Sequence, residues 1–251
     1  MSTTIHIAKW APDVESLARE LAESGLPQDS ADVYRGRNRV VKTERNGRLI
    51  NIKAFKIPHI INRLVYGNLR GSKARRSFEH ALKLRNLGFD TPEPLGYVEL
   101  RNGWLFGRSY YLSQHIEGFR EMRSFGAEER LGELADQLGA LIARLHDAGI
   151  WVKDFSRGNL LRRCDAKGRY EFFLVDINRM EFGVDDRKKL MQNFKDITSD
   201  SDFLRRLAKA YARHTRQDEK AVVAEVMQIR ADFLKKWDRR KRLKRLTGRA
   251  E

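Results

Sequence analysis

An aspartate and an asparagine lie five positions apart in a polar loop, and this spacing suits phosphoryl transfer. The loop runs from Lys153 to Asn159 and reads KDFSRGN. Transfer of a phosphoryl group to a hydroxyl needs a carboxylate beside the incoming oxygen and oxygen ligands for Mg²⁺. A D-x-x-x-x-N loop presents both, so Asp154 is the candidate base and Asn159 a candidate metal ligand. Solvated turns use the same residue types, so the spacing by itself is a weak signal.

A second carboxylate follows an apolar segment. Asp176 comes seventeen residues after Asn159 and soon after Phe172-Phe-Leu-Val, which predicts a buried strand. A carboxylate at that strand end is placed to ligate Mg²⁺ that is bound to nucleotide phosphates. The alternative is an aspartate that only ends the strand. The combination with the loop strengthens the metal-site interpretation.

A lysine inside a half-buried strand supplies the third element. Lys53 lies in Ile52-Lys-Ala-Phe, and a buried ammonium needs an anion. We predict that Lys53 binds the α- and β-phosphates and that Glu79, on a helix over 72–87, orients it. Lys56, at the strand end, is the competing lysine. Glu79 flanks the apolar face of its helix, so a solvent-facing side chain is the alternative.

Hydrophobic periodicity predicts the elements that position these residues. The first part contains a capped helix from Pro12 to Gly25, strands between 33 and 57 joined at Asn46-Gly47, the helix over 72–87, and strands over 95–100 and 104–115. The second part contains a helix from 131 to 148, short strands over 160–163 and 170–177, and helices near 186–197, 202–214 and 218–246.

This order predicts an α+β, two-lobed, protein-kinase-like fold. A small antiparallel sheet lobe with one helix precedes a larger, mainly helical lobe. We place the N-terminal lobe at residues 1–115, the catalytic lobe at 116–225 and a basic C-terminal helix at 226–251. Its apolar stripe, from Val222 to Trp237, is expected to pack on the lobe.

The composition is that of a globular protein of a reducing compartment. The chain has 251 residues, of which 41% are hydrophobic and 33% charged. No apolar run approaches the roughly 18 residues of a membrane-spanning helix. The single cysteine, Cys164, excludes an internal disulfide, and the six histidines give no zinc spacing, so neither Cys164 nor His146 receives a catalytic role.

The charge predicts an anionic partner. The net charge is +16, and residues 235–249 contain nine Lys or Arg and one Asp, which is half of that excess. A basic helix end fits an anionic membrane surface, a solvated face or an RNA-binding arm. We favour the membrane surface.

These residues resemble the lipopolysaccharide kinase family, bacterial enzymes that phosphorylate 3-deoxy-octulosonic acid (Kdo) or heptose of the lipopolysaccharide inner core. The resemblance extends from about Tyr34 to about Phe182. Its marks are Tyr34-Arg-Gly-Arg-Asn38, Ile52-Lys-Ala-Phe-Lys56, Ser72-Lys-Ala-Arg-Arg-Ser-Phe-Glu79, Gly88-Phe-Asp-Thr-Pro-Glu-Pro94 and Leu145-His-Asp-Ala-Gly149. It implies a kinase-like fold that uses ATP and Mg²⁺, with Lys53, Glu79, Asp154, Asn159 and Asp176 in the roles given above.

The sequence departs from protein kinases at several points. It has no G-x-G-x-x-G before the first hairpin, only Gly36, so we predict that Arg37 and Asn38 help to hold the nucleotide phosphates. Asp176 is followed by Ile-Asn rather than Phe-Gly, and no activation segment ends in Ala-Pro-Glu. These absences favour a small-molecule or glycolipid kinase over a regulated protein kinase.

The resemblance implies a sugar hydroxyl as the acceptor, and the carboxylate of Kdo makes Kdo the better match for a basic protein. Ser156 stands where many protein kinases place a lysine, so Arg157 or Lys153 is expected to supply charge there. We expect a monomer without a nucleic-acid partner, cytoplasmic and peripheral on the inner leaflet. The alternatives are a kinase of aminoglycoside-like or choline-like molecules and a nucleic-acid-binding pseudokinase.

Overall fold

The chain folds into two compact units. The computed structural model describes residues 2–56, 71–102, 105–123, 125 and 130–246. Unit 1 comprises Met1–Glu117 together with Asp176–Asn178, and unit 2 comprises Gly118–Val175 and Arg179–Glu251. The predicted lobe boundary after residue 115 lies two residues from this division. The predicted boundary at 226 lies inside a continuous helix.

Unit 1 is built on a six-stranded sheet in which all paired strands are antiparallel. The strands, in chain order, are β1 (Ser2–Ile7), β2 (Ala31–Arg35), β3 (Arg39–Arg45), β4 (Arg48–Phe55), β5 (Pro94–Asn102) and β6 (Leu105–Gln114). Their spatial order is β1-β5-β6-β4-β3-β2. A 3-10 turn (Pro12–Val14) leads into helix α1 (Glu15–Glu23), and α2 spans Lys73–Asn86. The predicted sheet lobe is therefore present.

The β3–β4 hairpin places Lys53 in the middle of this sheet. Asn46 and Gly47 adopt φ angles of 53° and 73°, the left-handed values that a two-residue type I′ turn requires. The resulting register sets Lys53 opposite Val40 on β3 and Tyr111 on β6. The Asn-Gly prediction is confirmed, and it fixes the face on which Lys53 lies.

Two N-terminal features differ from the sequence prediction. Residues 2–7, for which no strand was predicted, form an edge strand on β5 because their backbone pairs while most of their side chains stay exposed. The first helix has no side-chain cap, since Val14 occupies its N-cap and a 3-10 turn precedes it. Its end at Gly25, with a φ of 89°, agrees with the prediction.

Unit 2 combines a small antiparallel sheet with helices. The strands are β7 (Arg120–Glu121), β8 (Leu160–Cys164) and β9 (Tyr170–Leu174), and the helices are α3 (Leu131–Asp147), α4 (Arg187–Met191), α5 (Ser201–His214) and α6 (Glu219–Leu246). The predicted helix over 186–197 is shorter, because the chain tightens into a 3-10 helix (Gln192–Lys195) after α4. Strand β9 ends before the predicted residue 177, since Asp176 adopts a left-handed φ of 55° that a strand cannot contain.

Helix α6 leaves the core of unit 2 halfway along its length. Val222 and Val226 are buried, but every residue from 234 to 243 is exposed, including Trp237 with 51% of its surface accessible. The predicted packing stripe is therefore wrong at its last position. Within the described residues, no helix has the length and apolarity needed to cross a membrane.

A glycine allows α3 and α5 to approach each other closely. A Cβ added at Gly139 would lie 2.8 Å from the Cβ of Ala210 and 2.8 Å from the amide nitrogen of Tyr211. Backbone atoms of α5 cannot yield as a flexible side chain would. The contact therefore requires glycine in the middle of a helix, where its propensity is otherwise poor.

We predict that Gly139→Ala lowers the free energy of unfolding by about 1–3 kcal/mol, because the added methyl group forces the two helices apart. Gly132→Ala on the same helix is the matched control, since a Cβ there meets nothing within 4 Å. That variant should be neutral or more stable by up to about 1 kcal/mol. Chemical denaturation measures both, and equal stabilities of the two variants would contradict the packing account.

His146 belongs to this helix interface. Its Nδ1 lies 2.9 Å from the Tyr211 hydroxyl, and its Nε2 lies 3.3 Å from Nδ2 of the buried Asn193. An amide that donates to Nε2 requires a neutral ring. Burial, with a smaller contribution from the charge of Arg187, lowers the pKa of His146 to about 4.

Protonation of His146 should destabilise the fold on acidification. In the unfolded chain the ring titrates near pH 6.5, so its contribution is complete above that pH and is lost as the pH falls toward 4, by at most about 3 kcal/mol. The stability difference between the wild type and His146→Gln, measured by urea unfolding from pH 7.5 to 4.5, should shrink on acidification. A difference that stays constant with pH would contradict the assignment of a neutral buried ring.

Candidate active site

In unit 1 the ammonium group of Lys53 bonds to the Asp176 carboxylate. The lysine side chain is 16% exposed and that of the aspartate 32%. The structure therefore brings together two of the predicted site residues that lie 123 positions apart in the chain. The anion that the partly buried Lys53 needs in this structure is Asp176.

Asp176 is held in place by its backbone and by its neighbours. Its left-handed φ of 55° is uncommon for a non-glycine residue and turns the carboxylate out of the strand direction. Asn178, which is 4% exposed, donates its amide to Oδ1 of Asp176 at 2.6 Å. His80 on α2 contacts the carbonyl of Ile177 at 2.8 Å, and burial lowers the pKa of that histidine. The short segment after β9 is thereby fixed from two sides.

Glu79 lies apart from the Lys53–Asp176 pair in this structure. Its carboxylate accepts a hydrogen bond from Nε of Arg75 at 2.7 Å, and both side chains are about half exposed. This bond raises the pKa of Arg75. Glu79 thus faces solvent in this structure, which was the alternative to its role beside Lys53. The neighbouring His80 reaches the Asp176–Asn178 segment.

The turn between β2 and β3 presents the residues expected to cover phosphates. Asn38 accepts a hydrogen bond from the backbone amide of Lys56 at 3.3 Å, and Arg37 is exposed. The ring of Tyr34 folds over Gly36, where a Cβ would lie 2.4 Å from the Tyr34 hydroxyl. A larger residue at position 36 would displace this exposed ring. Lys56, the competing lysine, is exposed at the end of β4.

In unit 2 the loop after α3 orients Asp154 and Asn159. Asn159 donates its side-chain amide to the carbonyl of Asp154 at 2.8 Å, which leaves its Oδ1 directed away from that bond. Val175, the residue before Asp176, donates its backbone amide to the carbonyl of Asn159 at 3.0 Å. One end of the loop is thus anchored to the strand that leads to Asp176.

Asp154 is paired with a cation that the sequence analysis did not name, while Arg157 and Lys153 have other partners. Arg157 pairs with Asp196 at 3.7 Å, and the Lys153 ammonium lies 5.8 Å from the centre of the Trp151 ring. Instead, Arg179 contacts both oxygens of Asp154, at 3.1 and 3.0 Å.

Lys195 also lies beside this loop, and it donates to the carbonyl of Lys153 at 3.0 Å. Sequence reasoning missed both Arg179 and Lys195. No local pattern pointed to either residue, because Arg179 lies 25 positions from Asp154 and Lys195 lies 42 positions from Lys153 in the chain.

The oxygen atoms offered by these residues fit Mg²⁺. Both hydrogen bonds to the Asp176 carboxylate reach Oδ1, so Oδ2 is the oxygen available to a cation. Asn159 offers an amide oxygen, and hard cations prefer such ligands. Within the described residues there is no cluster of three or more His, Cys, Asp or Glu that would form an all-protein metal site. Asp176 in unit 1 and Asn159 in unit 2 thus each offer an oxygen of the type that Mg²⁺ prefers.

Comparisons with solved structures support the kinase-like fold. The WaaP protein, solved in complex with acyl carrier protein, aligns over 95% of this chain and 99% of its own, with a TM-score of 0.61 and 16% identity. The Rio2 kinase of Chaetomium thermophilum, solved with ADP, Mg²⁺ and phosphoaspartate, covers 83% of this chain and 64% of its own, with a TM-score of 0.51 and 17% identity. A microcompartment-associated aminopropanol kinase covers 87% and 86%, with a TM-score of 0.53 and 10% identity. These likenesses concern the fold.

Sequence comparisons identify the family. A curated 3-deoxy-D-manno-octulosonic acid kinase of Mannheimia succiniciproducens is 26% identical over 119 residues, which are 47% of this chain and 49% of that relative. The match thus spans about half of that relative's length. The lipopolysaccharide kinase (Kdo/WaaP) profile matches residues 27–228, a range that contains every site residue described above. The chain is therefore a member of the lipopolysaccharide kinase (Kdo/WaaP) family.

Proposed function

We propose that the protein transfers the γ-phosphoryl group of ATP to a hydroxyl of Kdo in the lipopolysaccharide inner core. The observation that carries this proposal is the bond between Lys53 and Asp176, because it joins a strand lysine and a strand-end aspartate of the types that kinases use for nucleotide phosphates and Mg²⁺. Family membership and the name of the curated relative support the choice of acceptor.

In unit 1, Lys53 and Asp176 bind the nucleotide phosphates and the metal. Mg²⁺ bound with ATP supplies charge neutralisation at the phosphates. Lys53 would exchange its bond to Asp176 for bonds to phosphate oxygens, and the Asp176 carboxylate would then be free to hold the metal. Asn178 retains its hydrogen bond to Oδ1 and keeps the carboxylate oriented. Arg37 and Asn38 add cationic and polar contacts in place of a glycine-rich loop.

In this proposal Glu79 leaves Arg75 and orients Lys53. A rotamer change would release it from Arg75, since the exposed pair is worth only about 0–1 kcal/mol. Glu79 then orients Lys53 once the lysine has left Asp176, as the family resemblance implies.

In unit 2, Asp154 accepts the proton of the attacking hydroxyl. Its side chain is 36% exposed and its backbone is held by Asn159, so the carboxylate is accessible and fixed. Removal of the hydroxyl proton increases the nucleophilicity of that oxygen as the bond to phosphorus forms. Asn159 would offer its amide oxygen as a ligand for Mg²⁺.

We predict that Asp154→Asn lowers kcat for phosphorylation of Kdo–lipid A by about 10²–10⁴-fold, because the amide cannot accept the proton. The unfolding free energy should fall by no more than about 1 kcal/mol, since the Arg179 pair is half exposed. The rate is followed by mass spectrometry of the acceptor. Asp232→Asn is the matched control, since Asp232 is exposed on α6 and contacts Gln228. Wild-type turnover by a folded Asp154→Asn protein would contradict the role.

We further propose that the protein is cytoplasmic and acts as a monomer at the inner leaflet, held there by the end of α6. Leu234 and Trp237 are exposed on one side of the helix, and Lys241 lies 4.8 Å from the centre of the Trp237 ring. The surrounding residues are mostly Lys and Arg. Exposed indole and leucine side chains enter the headgroup region, while cations bind anionic lipid.

Removal of residues 238–251 should weaken binding to vesicles that contain anionic phospholipid, since each basic residue near the surface contributes about 1 kcal/mol. The KM for membrane-presented acceptor should rise, and kcat on a soluble acceptor fragment should change little. Co-sedimentation at low salt measures the binding, with neutral vesicles as the control. Equal binding of the truncated and full chains under those conditions would remove this role from the helix.

A further inference from the structure

The base of the proposed reaction is already occupied by a cation. Nη1 of Arg179 lies 3.1 Å from Oδ1 and 3.0 Å from Oδ2 of Asp154, between the two carboxylate oxygens. An acceptor hydroxyl has to reach one of those oxygens. The Arg179 guanidinium must therefore move or share the carboxylate when the acceptor binds.

Breaking the ion pair between Arg179 and Asp154 costs little free energy. The arginine side chain is 46% exposed and the aspartate 36%. An ion pair with that exposure stabilises by about 0–1 kcal/mol, because water screens both charges. A second anion offered by a ligand can replace Asp154 as the partner of the guanidinium, which binds carboxylates with its fork of donors.

Lys195 adds a second cation at the same place. Its ammonium has three donors, and in the described part of the chain the acceptor that it reaches is the Lys153 carbonyl, at 3.0 Å. Burial lowers the pKa of Lys195, opposed by the charges of Asp154 and Asp196, while Lys153 and Arg179 add to the lowering. A half-buried ammonium with donors left over is a suitable partner for an anionic ligand.

Hydrogen bonds to the backbone hold Lys195 in its position. Arg230 on α6 donates to the Lys195 carbonyl at 2.7 Å, and the backbone amide of Arg157 donates to the Asp196 carbonyl at 3.1 Å. These bonds lay the segment after α4 along the Asp154 loop. Helix α6 and the loop itself thus keep the ammonium there.

We propose that Arg179 and Lys195 form a subsite for a carboxylate of the acceptor sugar, so that the enzyme selects a sugar acid over a neutral sugar. This inference rests on the proposed function. The acceptor's carboxylate takes Arg179 from Asp154, and the freed Asp154 faces the neighbouring hydroxyl. A neutral sugar offers no anion in exchange, so it gains no contact with the guanidinium. A phosphate group on the acceptor could also bind the two cations. The carboxylate is the better candidate because it is part of the same sugar as the reacting hydroxyl.

The test compares acceptors that differ in one charge. The full chain is assayed with ATP and Mg²⁺ on a methyl glycoside of Kdo and on its carboxymethyl ester. We expect kcat/KM to favour the free acid by about 10–100-fold, the size of a charged hydrogen-bonding contact. In Arg179→Gln and Lys195→Met this preference should fall toward unity, mainly through KM for the acid, and Lys195→Arg should restore part of it. Arg169→Gln, which alters a 75% exposed arginine at the β8–β9 turn, should keep it.

Three results would overturn the subsite. The wild type could use the ester as well as the acid, the preference could persist in both variants, or it could depend instead on the phosphates of Kdo–lipid A, compared by dephosphorylation. A calorimetric titration of the glycoside without ATP separates this inference from the proposed function. Arg179-dependent binding without turnover would contradict phosphoryl transfer alone, and turnover without discrimination would contradict the subsite alone.

Discussion

The bond between Lys53 and Asp176 is the constraint on which the site depends. An ammonium in the middle of a six-stranded sheet, 16% exposed, is tolerated only with an anion beside it. Loss of one partner of such a pair leaves an uncompensated charge that is only partly solvated. The hairpin that sets the register of β4, the left-handed backbone of Asp176 and the amide of Asn178 all act to bring that carboxylate to that lysine. Their combined effect is that Lys53 is held with its ammonium group on an anion.

A second group of charges organises the Asp154 loop in unit 2. Arg179 lies between the carboxylate oxygens, and Lys195 is bonded to the carbonyl just before the base. Both cations come from segments outside the loop, in which residue 156 is a serine. The loop is held by hydrogen bonds to its backbone and by the contact of Arg179 with the Asp154 carboxylate. Such cations can bind an acceptor without being part of the loop sequence.

Much of this arrangement was predictable because its signals are local. The Asn46-Gly47 turn, the apolar spacing of α3 and the polar loop from 153 to 159 each depend on neighbouring residues, and the structure contains all three. The two-lobed architecture was predictable from the order of the strands and helices along the chain. The end of β9 was misplaced because the backbone of Asp176 turns at a non-glycine residue, which no propensity signals. The pair of Arg75 with Glu79 has the i,i+4 spacing of neighbours on one helix and was available from the sequence. The partner of Arg157 was beyond prediction, since Asp196 comes close only in the folded chain. Arg179 and Lys195 were missed for the same reason.

The most direct test of the central claim is a calorimetric titration of ADP, with and without Mg²⁺, into the wild type and two variants. Lys53→Met should weaken ADP binding under both conditions, because it removes a phosphate contact. Asp176→Asn should abolish the Mg²⁺-dependent gain in affinity and leave metal-free binding equal or tighter, since Lys53 is released to the phosphates. Unchanged ADP affinity in both variants, or a Mg²⁺-dependent gain that survives Asp176→Asn, would contradict the account.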